Sequence, residues 1–308
     1  MSWLIHINPR RVRLMPLFHS LSRRGFLGAA ALATSSLVLP SIARAQSTMD
    51  RIAKDGVVRV GIANEKPYGY VDTDGKVKGA IPDVIAAILT PHGVKELKAE
   101  VVDFNGLIPG LNANRFDIIG AGMYITPPRC DAILFTNPVT RSGAGFIALK
   151  GNPKGVKSIA AVAARDDVVV GTQVGSANVE DLAKGGVPTD RVVLFANESE
   201  VLAGLKAGRC DVILLPSLQI NELLKTANDP SVEKVEGFEQ IKGANGDPKY
   251  GYGSLGLRKA DADLKQALDA GLAELLSSGK LLNIISQYGY GKDELPDGVK
   301  TAEQICKA

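Results

Sequence analysis

Histidine is nearly missing from this chain. It has three, and beyond the first 45 residues only His92 remains, in a Pro91-His92-Gly93 turn. A catalytic triad built on histidine, or a histidine-rich metal site, has almost nothing to draw on. The one tryptophan, Trp3, sits at the extreme N-terminus. The three cysteines, Cys130, Cys210 and Cys306, match neither a zinc spacing nor a CxxC pair. An oxidising compartment would permit a disulfide, and the sequence does not choose the pair. There is no phosphate loop, no GxGxxG after the first strand and no internal repeat, so no cofactor is called for. A basic surface for nucleic acid is missing too. The formal charge is +3, but six of the 36 basic residues (Arg10, Arg11, Arg13, Arg23, Arg24, Arg44) lie in the first 45, which hold no acid. The remainder carries 30 basic residues against 33 acidic ones.

What is there begins with an address. Ser22-Arg23-Arg24-Gly25-Phe26-Leu27 resembles a twin-arginine export motif, and small and apolar residues follow to Leu39. Ala43-Arg44-Ala45 is a small-x-small cleavage site, so residues 1–45 are expected to be removed as a signal peptide, leaving Gln46 first. The apolar run is too short and too rich in Ala and Ser to span a bilayer well. No cysteine lies at the cut for a lipid anchor. A freely diffusing protein of the Gram-negative periplasm is expected.

The rest alternates. Val57–Ala63, Glu100–Val102 and Phe116–Gly120 read as strands, with Pro82–Leu89 and Leu107–Leu111 as helices between them. This βαβαβ order predicts a parallel, doubly wound α/β sheet. A second αβ series follows: strands Val168–Gly171, Val192–Phe195 and Asp211–Leu215, with helices opening at Gly175–Asn178 and spanning Ser199–Ala207. Tyr252–Leu257 reads as a strand returning to the first lobe, ahead of helices Ala262–Ser277 and Leu281–Tyr288. Lobe 1 is thus predicted over 49–148 plus 252–308, and lobe 2 over 150–250. Two connections cross between them, near Phe146–Leu149 and Tyr252–Leu257.

The stretch Gly120–Arg129 (Gly-Ala-Gly-Met-Tyr-Ile-Thr-Pro-Pro-Arg) carries the chemistry. It reads as a strand end, a glycine-lined crossing, a helix start at Thr126-Pro127 and an arginine in the first turn. Backbone N–H groups and a guanidinium would converge there on an anion. Ligands of such sheets sit beyond the carboxyl ends of the strands, and Tyr68, Phe104 and Tyr124 each fall just past one of the three strands. With aromatics only 5% of the chain, three at one sheet edge are a candidate binding surface.

Several short motifs form a familiar series: Val57-Val58-Arg59-Val60-Gly61-Ile62-Ala63, Asp72-x-x-Gly75 after Tyr68, Leu107-Ile108-Pro109-Gly110-Leu111, Phe116-Asp117, Gly122-Met123 with Thr126-x-x-Arg129, and Gly171-x-x-x-Gly175-Ser176. The series resembles the family 3 solute-binding proteins of ABC transporters, polar amino-acid binders with a Venus-flytrap fold. Asn64-Glu65-x-Pro67-Tyr68-x-Tyr70 and Gly120–Cys130 resemble, more closely, the ectoine/hydroxyectoine-binding members. The resemblance implies a two-lobed type II periplasmic binding protein with two interlobe crossings, a monomer that delivers a small zwitterionic solute to a membrane ABC permease.

It also implies roles. Arg129 would grip a carboxylate, and the helix N-terminus at Gly175-Ser176 would add backbone donors. Tyr68, Phe104 and Tyr124 would box a delocalised cation, and Glu65 would accept from its ring N–H groups. Asn197 completes the candidate ligand-binding set. Pro216 stands where an acid usually receives an α-amino group, and proline has neither charge nor donor; this departure favours the cyclic amidinium of ectoine. The competing readings are a binder of a polar or basic amino acid and an exported cyclohexadienyl or arogenate dehydratase on the same fold, with Glu65 or Glu198 as its acid.

Overall fold

The computed structural model describes residues 46–243, 246–298 and 300–308. The expected leader, and with it the export motif, lies outside them. Among the described residues no helix is long and apolar enough to cross a membrane.

Helix α1 (Thr48–Asp55) starts at a Ser47 cap that accepts from the Asp50 N–H. Strand β1 (Val57–Ile62) follows, then a short hairpin, β2 (Tyr70–Val71) and β3 (Val77–Lys78), turned by Asp72 Oδ1 accepting from the Asp74 and Lys76 N–H groups. Next come α2 (Ala80–Leu89), β4 (Glu96–Val101), α3 (Leu107–Asn112), β5 (Ile118–Tyr124), α4 (Pro127–Ala132), β6 (Leu134–Phe135) and β7 (Thr140–Ser142). The second lobe holds β8 (Ala144–Leu149), α5 (Ile159–Ala163), β9 (Val170–Gln173), α6 (Ala177–Lys184), β10 (Val192–Phe195), α7 (Glu198–Lys206), β11 (Val212–Pro216), α8 (Ser217–Ala227) and β12 (Val232–Lys234). The chain then returns as β13 (Gly251–Leu257), α9 (Ala262–Ser277), α10 (Lys280–Ile285) and α11 (Ala302–Cys306).

Two sheets result. The first runs β4-β1-β5-β13-β6, with β7 also on β13; the second runs β10-β9-β11-β8-β12. β1 is parallel to β4 and β5, with Val60 opposite Ile118, and β9 is parallel to β10 and β11. The returning strands β8 and β13 are antiparallel to their neighbours. Each sheet is covered on both faces, as parallel sheets require. In lobe 1, Ile81, Ile85 and Leu89 of α2 meet Leu268 and Leu272 of α9 over Val58 and Val60. Phe116, Leu111, Met123 and Phe135 fill the other face. Each such side chain, fully buried, contributes on the order of 1.5–3 kcal/mol.

Three expectations change. Residues 144–148, expected in lobe 1, belong with Leu149 to lobe 2: β8 pairs with β11 and β12. The crossings therefore fall at Gly143, between β7 and β8, and just before Gly251, since β13 lies wholly within the first sheet. The strand expected to stop at Gly120 runs on to Tyr124, so the two glycines lie inside β5 rather than in a crossing loop. A helix not expected from the sequence, α8, follows Pro216 directly. Of the three cysteines, Cys130 and Cys306 form a disulfide that fastens α11 to α4, and Cys210 is buried and free.

One ionic knot anchors the N-terminal helix to lobe 1. Asp117 is fully buried and accepts from Arg59 through Nε at 3.2 Å, through its guanidinium NH2 at 2.7 Å and through its backbone N–H at 3.0 Å. Arg51 of α1 reaches the same carboxylate at 2.6 Å, and Arg258, just past β13, stands 3.6 Å away. Burial pushes the Asp117 carboxyl up, but the Arg59 and Arg51 contacts outweigh it and hold it below the usual carboxylate range. Asp117→Ala should leave these arginines without their shared anion and destabilise the protein by roughly 3–5 kcal/mol. Chemical denaturation measures this; an unchanged midpoint would show that the knot is energetically idle.

Candidate functional site

The carboxyl ends of both sheets face one another across a small cavity of about 40 Å³. Lobe 1 contributes Glu65, Tyr68, Phe104, Tyr124 and Arg129; lobe 2 contributes Gln173, Ser176, Asn178, Pro216 and Gln219. The space is small for an amino-acid-sized solute, and admitting one would require the lobes to part. A larger groove of about 670 Å³ lies between the β2–β3 hairpin and helices α7 and α8. It gathers no buried arginine and no aromatic box, and its Lys206 is engaged with Asp229. The convergent polar groups are in the small cavity, and the site is placed there.

The loop after β1 is drawn tight by two backbone bonds between Glu65 and Gly69, around the cis Lys66–Pro67 bond. Asn64, at φ 58°, accepts from the Val71 N–H and turns the chain back into the hairpin. This loop delivers Glu65 and Tyr68 together. Tyr68 lies on β5 at Gly122, where φ is 61° and a Cβ would stand 2.7 Å from the ring. Tyr124, at the end of β5, rests against Gly251 in the same way: a Cβ there would lie 1.9 Å from its ring. Gly251 pairs with Ser142, so Tyr124 sits beneath both hinge strands. The phenol oxygens of Tyr68 and Tyr124 are buried, and neither makes a hydrogen bond of good geometry to a described residue. Burial raises both phenols, with the Ser142 and Tyr68 hydroxyls near Tyr124 only partly offsetting it.

Arg129 ties the two lobes. One guanidinium nitrogen donates to the Tyr124 carbonyl at 2.6 Å and the other to the Gly175 carbonyl of lobe 2 at 2.7 Å. Its Cζ lies 5.5 Å from the Phe104 ring centre. Burial lowers its pKa to about 10, with Glu180 and Tyr124 opposing, so it remains cationic at neutral pH. Two of its five N–H donors are engaged with carbonyls, and the rest of the fork is left for a carboxylate. The helix start beside it gives less than the sequence suggested. α4 has six residues, and Pro127 and Pro128 lack the N–H groups of its first two positions. Backbone donors come instead from α6, whose first residues Ala177 and Asn178 line the cavity behind the Ser176 cap.

Glu65 is 4% exposed and accepts from Gln173 of lobe 2 at 2.5 Å. Burial, reinforced by Glu198 and opposed by the Gln173 bond, pushes its pKa to about 8. Glu198 is pushed to about 7 by burial, against the Gln219 bond at 3.2 Å and the charge of Lys66.

Six of the eight residues singled out from the sequence, Glu65, Tyr68, Phe104, Tyr124, Arg129 and Ser176, line the cavity. Gly175 stands just behind it and supplies the carbonyl that Arg129 meets. Asn197 does not reach it. Its side chain caps α7, accepting from the Glu200 N–H at 3.1 Å, and faces a separate recess shared with Asp103 and Glu198. Gln173, Asn178 and Gln219 were not anticipated. Gln173 ends β9, and the rule that ligands gather past parallel strand ends would have found it; Gln219 belongs to the unassigned helix α8.

The matching family model is that of the bacterial extracellular solute-binding proteins, family 3, over residues 58–291. The chain belongs to this family. Among solved structures it is similar to EhuB in complex with hydroxyectoine, at 35% identity and a TM-score of 0.76, covering 84% of this chain and 97% of that one. Among curated proteins it is similar to the probable amino-acid ABC transporter periplasmic-binding protein y4tE of Sinorhizobium fredii, 29% identical over 90% of this chain and 92% of that protein. The L-arginine-binding protein of Pseudomonas aeruginosa is 28% identical over 84% of this chain and 93% of its own.

The contact between Tyr124 and the hinge can be tested directly. Gly251→Ala forces a methyl group into the Tyr124 ring, and overpacking of this kind costs ~1–3 kcal/mol. Thermal denaturation should show a lower Tm; an unchanged Tm would mean that the ring is not lodged there.

Proposed function

We propose that this protein is the substrate-binding component of an ABC importer for ectoine or hydroxyectoine, working in the periplasm as a monomer after twin-arginine export. The observation that carries this reading is the pairing, in one cavity, of a half-buried cationic Arg129 with Tyr68, Phe104 and Tyr124, where the lobe-2 strand end offers Pro216 rather than an acid. A zwitterion with a carboxylate and a delocalised ring cation matches those two halves. Arg129 grips the carboxylate together with the α6 N-terminus, the aromatic faces take the weakly hydrated amidinium, and Glu65 accepts from its N–H groups. The similarity to EhuB supports the same assignment. The solute touches both lobes only when they are shut, and the shut form is what the permease receives.

A second reading keeps the class and changes the solute to arginine or another polar amino acid. It is favoured by the similarity to the L-arginine-binding protein, and by Glu65 and Glu198, either of which a ligand cation would draw into its ionised form.

Calorimetry with ectoine, hydroxyectoine and arginine separates the two. Ectoine or hydroxyectoine should bind, and at about 100 times the dissociation constant should stabilise the protein by ~2.7 kcal/mol. Arg129→Ala should cost on the order of 2–5 kcal/mol of binding. Tyr124→Ala should cost ~1–2 kcal/mol, and Tyr124→Phe much less. Tight binding of arginine with no heat from either ectoine would overturn the assignment, and turnover of prephenate or arogenate would mark the chain as an enzyme.

A further inference from the structure

Two carboxylates from opposite lobes line one recess beside the cavity. Glu65 hangs from the loop after β1, and Glu198 is the first residue of α7. Both line a recess of about 550 Å³ together with Asp103. Among the described residues neither forms an ion pair; their partners are the neutral amides of Gln173 and Gln219, both from lobe 2. Facing Glu65 are Glu198 and Gln173 from lobe 2, Asp103 from the loop after β4, Tyr68 from its own loop and Arg129 across the cavity. Facing Glu198 are Gln219 from α8 and Lys66 from lobe 1. Lys206 and Glu222 share its groove, engaged with Asp229 and Lys225.

The geometry points to a proton-coupled clasp: shutting the lobes brings the half-buried Glu198 into one recess with the buried Glu65, so the shut form holds a proton that the open form releases. This rests on the reading of the cavity as the solute site. The physical cause is elementary. Two like charges cannot both persist at close range in a low dielectric, and one proton turns the repulsion into a tolerable contact. With the lobes apart, both groups regain water and return toward the ordinary carboxylate range. The raised values of Glu65 and Glu198 agree with this. The proton belongs to the pair rather than to one residue; where the solute's cation keeps Glu65 ionised, Glu198 carries it.

The sign follows. A group whose pKa is higher in the shut form makes that form bind more protons. Closure is then easiest below the ordinary carboxylate range and is progressively lost as the pH rises through about 7 to 8. Solute would be held more firmly on the acid side of neutrality and released more readily on the alkaline side.

Spin labels on Lys98→Cys and Asp190→Cys, both exposed and in different lobes, report closure without any added solute. Between pH 8.5 and 6 the ratio of shut to open should rise, by up to about tenfold per pH unit for each proton taken up. Glu198→Gln should flatten that slope. Calorimetry with ectoine at pH 7.5, in two buffers of different ionisation heat, should show proton uptake by the wild type and less by Glu198→Gln. Label distances that ignore pH, or a Glu198→Gln slope equal to the wild type, would overturn the clasp. If ectoine gives no heat while the labels still respond to pH, the solute assignment fails and the clasp stands.

Discussion

The half-buried guanidinium of Arg129 is the constraint on which the site depends. A cation drawn partly out of water must find oxygen atoms, and the protein supplies two carbonyls, one from each lobe: Tyr124 and Gly175. The same group thereby fastens the lobes and, in the proposed function, grips the ligand. A carboxylate arriving in the cavity would add charge-assisted bonds to a fork that already bridges the seam, so binding and closure draw on one interaction. The second bond across the seam, Gln173 to Glu65, is built similarly, with a cavity residue on each side. Little else is needed to couple occupancy to shape.

The aromatic wall is set by absences of side chain. Tyr68 can lie flat on β5 because Gly122 has no Cβ, and Tyr124 can lie under the hinge because Gly251 has none. The ring that would face a solute cation is thus the ring on which both hinge strands rest. Packing and hinge geometry meet at Tyr124, and the Asp117 knot and the Cys130–Cys306 disulfide tie together the rest of lobe 1.

Much of this was legible in the sequence. The alternation of apolar runs with helical spacing predicted two parallel sheets, and the strand-end rule predicted where Tyr68, Phe104 and Tyr124 would gather. What could not be read has physical reasons. Ala144–Leu149 is apolar on both faces and would suit either sheet; only pairing with β11 and β12, far along the chain, decides it. Asn197 precedes Glu198-Ser199-Glu200, where an asparagine serves as a helix cap as readily as a ligand contact, and capping won. Gln173 and Gln219 are neutral amides with no chemical signature until a carboxylate is placed beside them. Cys130 and Cys306 are 176 residues apart, so their pairing awaited the docking of α11 on α4.

In the proposed function, solute binding and lobe closure are one event, fastened through Arg129. Small-angle scattering with and without saturating ectoine measures that coupling. A smaller radius of gyration is expected with ectoine, and no such contraction in Arg129→Ala at the same concentration. A scattering curve unchanged by ectoine, in a sample that calorimetry shows to be saturated, would contradict it.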